Sequence, residues 1–148
     1  MPRVSLPVRK EKLSNGVYTR MAGRERKERP VETREAILDL QYSEKMKSGL
    51  IIGAGILDQL VSLRDQEQSG GKKVLVWYLE GLLREIRIAE NVLGGGHYSD
   101  LERKVMEVIG RVQMSQFQDA QRSFSEAISS ATTSCQTSMS LLMEKRLI

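Results

Sequence analysis

From Lys72 to Leu93 the chain reads KKVLVWYLEGLLREIRIAENVL, bounded by Gly70-Gly71 before it and Gly94-Gly95-Gly96 after it. Glycine pairs and triplets are strong breaks in a chain, so the stretch between them is one element. Within it Leu75, Leu79, Leu82, Leu83, Ile86, Ala89 and Leu93 recur every three or four residues. A period of 3.6 residues gathers them on one face of an α-helix, and Arg84, Glu85, Arg87 and Glu90 fall largely on the other. Trp77 and Tyr78, the only adjacent aromatic pair, sit in its first turns. A helix with one apolar stripe needs other helices to bury it. Stripes of the same period lie before and after.

Composition agrees with packed helices. The chain of 148 residues holds only two Phe and one Trp, so its core must be built from Leu, Ile, Val, Met and Ala. That palette favours helices over sheets, which draw on aromatic and β-branched residues. All three prolines, Pro2, Pro7 and Pro30, lie in the first 30 residues, and the rest of the chain is free to form long helices. Those 30 residues also carry nine Lys and Arg against three Glu, whereas the remaining 118 carry fourteen against sixteen Asp and Glu. With few apolar residues to offset the entropy of ordering its backbone, residues 1–30 are expected to be a disordered basic arm. Residues 31–148 are then the helical domain.

Three helical regions are expected there. The first spans about 33–66, with Thr33 as N-cap and a stripe of Ile37, Leu40, Met46, Leu50, Gly53, Leu57, Leu60 and Arg64. Gly49, Gly53 and Gly55 weaken it; small residues on a packing face let a second helix come close, and a kink or break around 49–55 is the alternative. Asp65 to Lys73 reads as a polar loop, and the second helix runs over 73–93. The third region, about 99–146, opens on Ser99-Asp100-Leu101-Glu102, which fits a capping box. Its stripe is Leu101, Val105, Val108 and Val112, continued by Phe117, Ala120, Phe124, Ile128, Ala131, Cys135, Met139 and Leu142. Unbroken, it would be about 70 Å long. A small bundle cannot cover that length, so it either breaks within 110–116 or projects and pairs with another chain. The expected fold is an all-α antiparallel bundle of three to four helices with a long C-terminal helical region. Coiled-coil-like pairing into a homo-oligomer is favoured.

Little in the chain points to catalysis or cofactors. Cys135 is the sole cysteine and His97 the sole histidine, on different elements, and no CxxC or Cys/His cluster offers a metal site. Neither Gly94-Gly95-Gly96-His97 nor Gly70-Gly71-Lys72-Lys73 has the spacing of a phosphate-binding loop. Asp100 and Glu102 would in addition repel an anion at the start of the third region. The carboxylates alternate with Lys and Arg, as on a solvated, ion-paired surface. No catalytic residue, metal, cofactor or small-molecule substrate is therefore expected. The longest uncharged apolar run, Gly49 to Leu57, is about half of the ~20 residues a bilayer span needs. With no apolar run near the N-terminus and one unpaired cysteine, an intracellular protein of cytoplasm or nucleus is expected.

The strongest functional signal is the basic arm. Arg9, Lys10, Lys12, Arg20, Arg24, Arg26, Lys27 and Arg29 form a segment that can bind nucleic acid or an acidic protein, because each neutralised phosphate releases counterions. Tyr18 is its only aromatic, so base stacking is not expected. The second signal is apolar surface for helix partners: Trp77, Leu79, Leu83, Ile86, Phe117 and Phe124. Leu79, Leu83, Ile86 and Ile88 also match the spacing of leucine-rich nuclear-export signals, which any amphipathic helix produces, and core is the simpler use. The chain is expected to be a non-catalytic helical interaction protein with a basic arm, or alternatively an adaptor or accessory factor (a viral one among the options) working only through apolar helix faces.

Overall fold

The computed structural model describes the backbone of residues 17–148 and the side chains of residues 32–148. It contains α1 (Val17–Val61), α2 (Asp65–Leu93), α3 (Ser99–Gln113) and α4 (Phe117–Glu144), with no strand among the described residues. The chain divides into Met1–Ala36 and a larger unit, Ile37–Ile148, and the bundle belongs to the larger unit.

The topology follows from which residues meet. Lys45 pairs with Glu85, Tyr78 reaches Gly49, and Gly71 lies against Leu60, so α1 and α2 run antiparallel. Asp39 meets Ser134 and Ser138 while Asp58 meets Gln121, which sets α4 antiparallel to α1. Arg87 with Glu102 fixes α3 against α2, and Lys104 with Glu126 fixes α3 against α4. Each helix thus touches its two neighbours in an up-down-up-down bundle. Short connections make sequential helices antiparallel. Leu50, Leu57, Leu75, Leu79, Ile86, Val105, Val108, Val112 and Phe124 fill the centre, each with at most 1 % of its surface exposed.

Several boundaries differ from the sequence expectation. The backbone is already helical at Val17, so the start expected at Thr33 lies inside α1, and Pro30 is accommodated within it. Proline forgoes one i→i−4 bond, a local loss against the many bonds of a 45-residue helix. Helix α1 ends at Val61, and the expected loop over Asp65 to Lys73 is instead the start of α2. Gly71 has a packing reason to be there, because a Cβ on it would sit 2.6 Å from Leu60 Cδ1. The long third region breaks at Met114–Gln116, with Ser115 at φ 59°, and folds back as α3 and α4. The length that favoured pairing with another chain is thereby covered inside one bundle.

The buried face of α1 also differs. It runs Asp39, Ser43, Met46, Leu50, Gly53, Leu57, Leu60, a continuous heptad, while Ile37 is 42 % exposed and Arg64 lies past the helix. On α4, Ser123, Ala127 and Ser138 are buried, whereas Met139 is exposed. The capping box at Ser99 does not form. Tyr98 is the N-cap residue and makes no side-chain cap bond, and the Glu102 carboxylate bonds to Arg87 Nε at 2.8 Å instead.

Two glycines on α1 set how close its neighbours come. A Cβ on Gly53 would lie 3.0 Å and 3.1 Å from Phe124 ring carbons, and one on Gly49 would lie 2.9 Å from Leu82 Cδ1. Beside it the Tyr78 hydroxyl donates to the Gly49 carbonyl at 2.7 Å. Gly55, by contrast, faces open space. We predict that Gly55→Ala stabilises the protein by up to about 1 kcal/mol through helix propensity. Gly53→Ala is predicted to destabilise it by about 1–2 kcal/mol, overpacking against a rigid aromatic ring outweighing the same gain. Urea unfolding of the two variants beside the parent distinguishes these signs.

Candidate functional site

Two features of the bundle are chemically distinctive. The first is a buried carboxylate. Asp39 is 3 % exposed and sits where a heptad core position would normally be apolar. Its Oδ1 accepts from the Tyr98 hydroxyl at 2.5 Å and from His97 Nε2 at 2.8 Å. The Ser134 hydroxyl spans both oxygens at 2.8 and 2.9 Å, and the Ser138 hydroxyl donates to Oδ2. A carboxylate accepts about four such bonds, so Asp39 is saturated. It ties α1, the connection before α3, and α4 to one point.

That connection is itself held. Gly94, Gly95 and Gly96 all have φ near +70°, and Gly94, at ψ −171°, lies in a region essentially reserved for glycine. The carboxylate of Glu90 accepts from the Gly96 amide at 2.7 Å and the Tyr98 amide at 2.6 Å. The amide of the N-cap residue of α3, Tyr98, is thus already satisfied. His97 packs edge-on against Tyr98, with ring centroids 4.7 Å apart.

Burial works to raise the Asp39 pKa, but the bonds from Ser138, Tyr98, Ser134 and His97 together outweigh it and hold the carboxyl below its usual value. The same node pushes the Tyr98 phenol strongly up, first by burial and then through the bond to Asp39 and its charge. A cleft of about 280 Å³ opens beside the node, lined by His97, Ser130, Thr133, Ser134, Thr137 and Ser138 among others. Serine, histidine and aspartate here do not form a nucleophile relay. Ser134 and His97 both bond to Asp39, so the histidine does not face the serine as a base, and the carboxylate they share has a depressed proton affinity. The arrangement is a polar tie.

Cys135, beside the node on α4, is 4 % exposed, and its thiol lies 3.7 Å from Glu44 Oε1. Burial pushes its pKa up, which keeps it a poor nucleophile. Among the described residues no group of His, Cys, Asp and Glu is placed to hold a metal, and no helix is long and apolar enough to cross a membrane.

The second feature is the outward side of α2. Val74, Trp77, Gly81, Arg84, Ile88 and Val92 follow one another at three- and four-residue spacing, nearly opposite the buried stripe. Trp77 is 72 % exposed, and Val74, Ile88 and Val92 are exposed as well. Trp77 stands as a ridge between two clefts. One, of about 470 Å³ between α1 and α2, is lined by Lys45, Gly49, Ile52, Gly81 and Arg84. The other, of about 380 Å³ toward α3, is lined by Lys73, Val76, Glu80 and Gln113. Ile52 of α1, more than half exposed, extends the apolar surface.

The residues singled out in the sequence separate accordingly. Leu79, Leu83, Ile86 and Phe124 belong to the core of this bundle, and Phe117 packs partly buried against it, so these serve helices of the same chain. Trp77 alone of that set faces solvent. Arg9, Lys10 and Lys12 lie outside the described residues; Arg20, Arg24, Arg26, Lys27 and Arg29 belong to the backbone of α1, with side chains outside the described set. Neither Asp39 nor, apart from Trp77, the outer stripe of α2 was among the expected sites. Extending the heptad of α1 back from Leu50 in steps of four and three reaches Met46, Ser43 and Asp39, and that period was the available signal. Scans of the chain against protein-family models, curated proteins and solved structures return no match.

The Asp39 node carries a pH prediction. A carboxyl whose folded pKa is depressed adds stability above its unfolded value of about 3.9, and that contribution is lost as pH falls through the folded pKa. Asp39→Asn is predicted to cost about 1–3 kcal/mol at pH 7 and progressively less as the pH falls below about 3.9 and through the depressed folded pKa, because the carboxyl it replaces then becomes neutral. Asp39→Ala, which leaves the tyrosine and serine hydroxyls without their acceptor, is predicted to cost about 3 kcal/mol or more. Chemical unfolding of parent and variants across that pH range measures the difference.

Proposed function

We propose that the protein is a non-catalytic helical docking protein that engages a partner protein through the outer face of α2. The observation that supports this is Trp77: the only tryptophan of the chain is 72 % exposed on a stripe that also bares Val74 and Ile88. Tryptophan is enriched at the energetic centre of interfaces, where it fills a pocket and excludes water. Isolated exposed apolar residues need no account, but a periodic row of them along one helix is the form taken by helix-pairing surfaces. The buried polar node, by contrast, has its donors and acceptors matched to one another, as a structural tie requires.

A photoreactive side chain placed at Ile88 is predicted to form adducts with another polypeptide under native conditions, and one placed at Ser125, exposed on α4, to form few. Equal yields from the two positions, or none from Ile88, would count against docking by this face. A second activity is favoured by the charge imbalance of the chain. The surplus of positive charge in residues 1–30 suits a polyanion, nucleic acid above all. If that segment binds nucleic acid, the affinity of the full chain falls steeply with salt, and a chain beginning at Val31 does not bind.

A further inference from the structure

The charges beside the outer stripe of α2 define what it can take. Lys73 and Arg84 have no ion-pair partner among the described residues, and Lys72 is bound only to the neutral Ser115 hydroxyl at 2.8 Å. The nearby carboxylate of Glu85 is already taken by Lys45 at 2.6 Å, and Arg87 by Glu102. Glu80 is the one carboxylate beside the stripe without a partner among the described residues. Three cations against one anion thus border the row from Val74 to Val92 or, in the case of Arg84, interrupt it; the row is about 27 Å long at 1.5 Å per residue. At its middle the Arg84 guanidinium lies over Gly81, 3.7 Å from where a Cβ would stand.

Resting on the docking function above, we propose that this face seats an acidic amphipathic helix of about five turns, contributed by a different protein. Apolar residues at three- and four-residue spacing would lie along Val74, Trp77, Gly81 and Ile88, while Glu or Asp on its flanks would meet Lys73 and Arg84. The basic residues 1–30 of this same chain carry the wrong sign for that role. A second copy fits poorly too. It brings the same excess of cations to the contact, so neither copy supplies the carboxylates that Lys73 and Arg84 lack.

The test uses the full chain with two synthetic peptides of three heptads, both with Leu at the a and d positions. One carries Glu at e and g, and the other Lys. Trp77, the only tryptophan, reports binding by its own fluorescence. The Glu peptide is expected to shift Trp77 emission to the blue and to bind about fivefold or more tightly than the Lys peptide at low salt, the gap closing as salt rises. In the exposed-site variant Lys73→Glu/Arg84→Glu the preference is expected to reverse. Equal binding of both peptides would overturn the acidic partner while leaving helix docking in place. Binding of neither would overturn both. Blue-shifted emission that appears with protein concentration alone would identify a second copy as the occupant and overturn the proposal.

Discussion

The bundle depends on α1 meeting two helices along a single seam. Its heptad from Asp39 to Leu60 faces α2 on one side and α4 on the other, and nothing wider than glycine fits where both press closest. At Gly53 a Phe124 ring and the Tyr78 ring both lie within about 3.3 Å of where a Cβ would be. Close approach at that point lets Leu50, Leu57, Leu79 and Phe124 share one water-free interior. Gly49 and Gly53, which weaken α1 as an isolated helix, are therefore what makes it a good packing element. Local propensity, at about 1 kcal/mol per glycine, yields to packing.

Farther along the same seam the apolar core gives way to Asp39. A carboxylate that far from water persists only because four side chains donate to it, and two of them come from α4, almost a hundred residues away in sequence. The node fixes the register between α1 and α4 more strictly than Leu and Ala contacts would, since one heptad of slip would strand the carboxylate and its donors together. It also locates the glycine connection before α3, which Glu90 holds from the other side.

How much of this was legible follows from which forces are periodic. The stripes of α2 and α3 were readable because each is a run of large aliphatic residues with no rival pattern: Leu101, Val105, Val108 and Val112 are all buried as spaced. The polar half of the α1 stripe was not, since Asp39 and Ser43 look like surface residues until the donors on α4 and at Tyr98 are known. The start of α2 was hidden for a similar reason. Gly70-Gly71 reads as a break in one dimension, and only the Leu60 side chain shows why a glycine there belongs inside a helix. Ser99 and Glu102 matched a capping motif, but Arg87 competes for the same carboxylate, and an interhelical ion pair won. Trp77 drew notice as an aromatic, yet that it faces away from the core depended on which of two periodic faces of α2 the other helices would cover.

That choice leaves α2 with one side in the core and an ordered apolar row on the other, and the functional account rests on the outer row being bare in the free protein. The most direct test is collisional quenching of Trp77 fluorescence by acrylamide in the dilute, folded full chain, compared with the same chain in denaturant. An uncovered outer face predicts that the folded protein is quenched nearly as well as the unfolded one. Strong protection of Trp77 in the folded chain at low concentration would contradict it, because the face would then already be occupied.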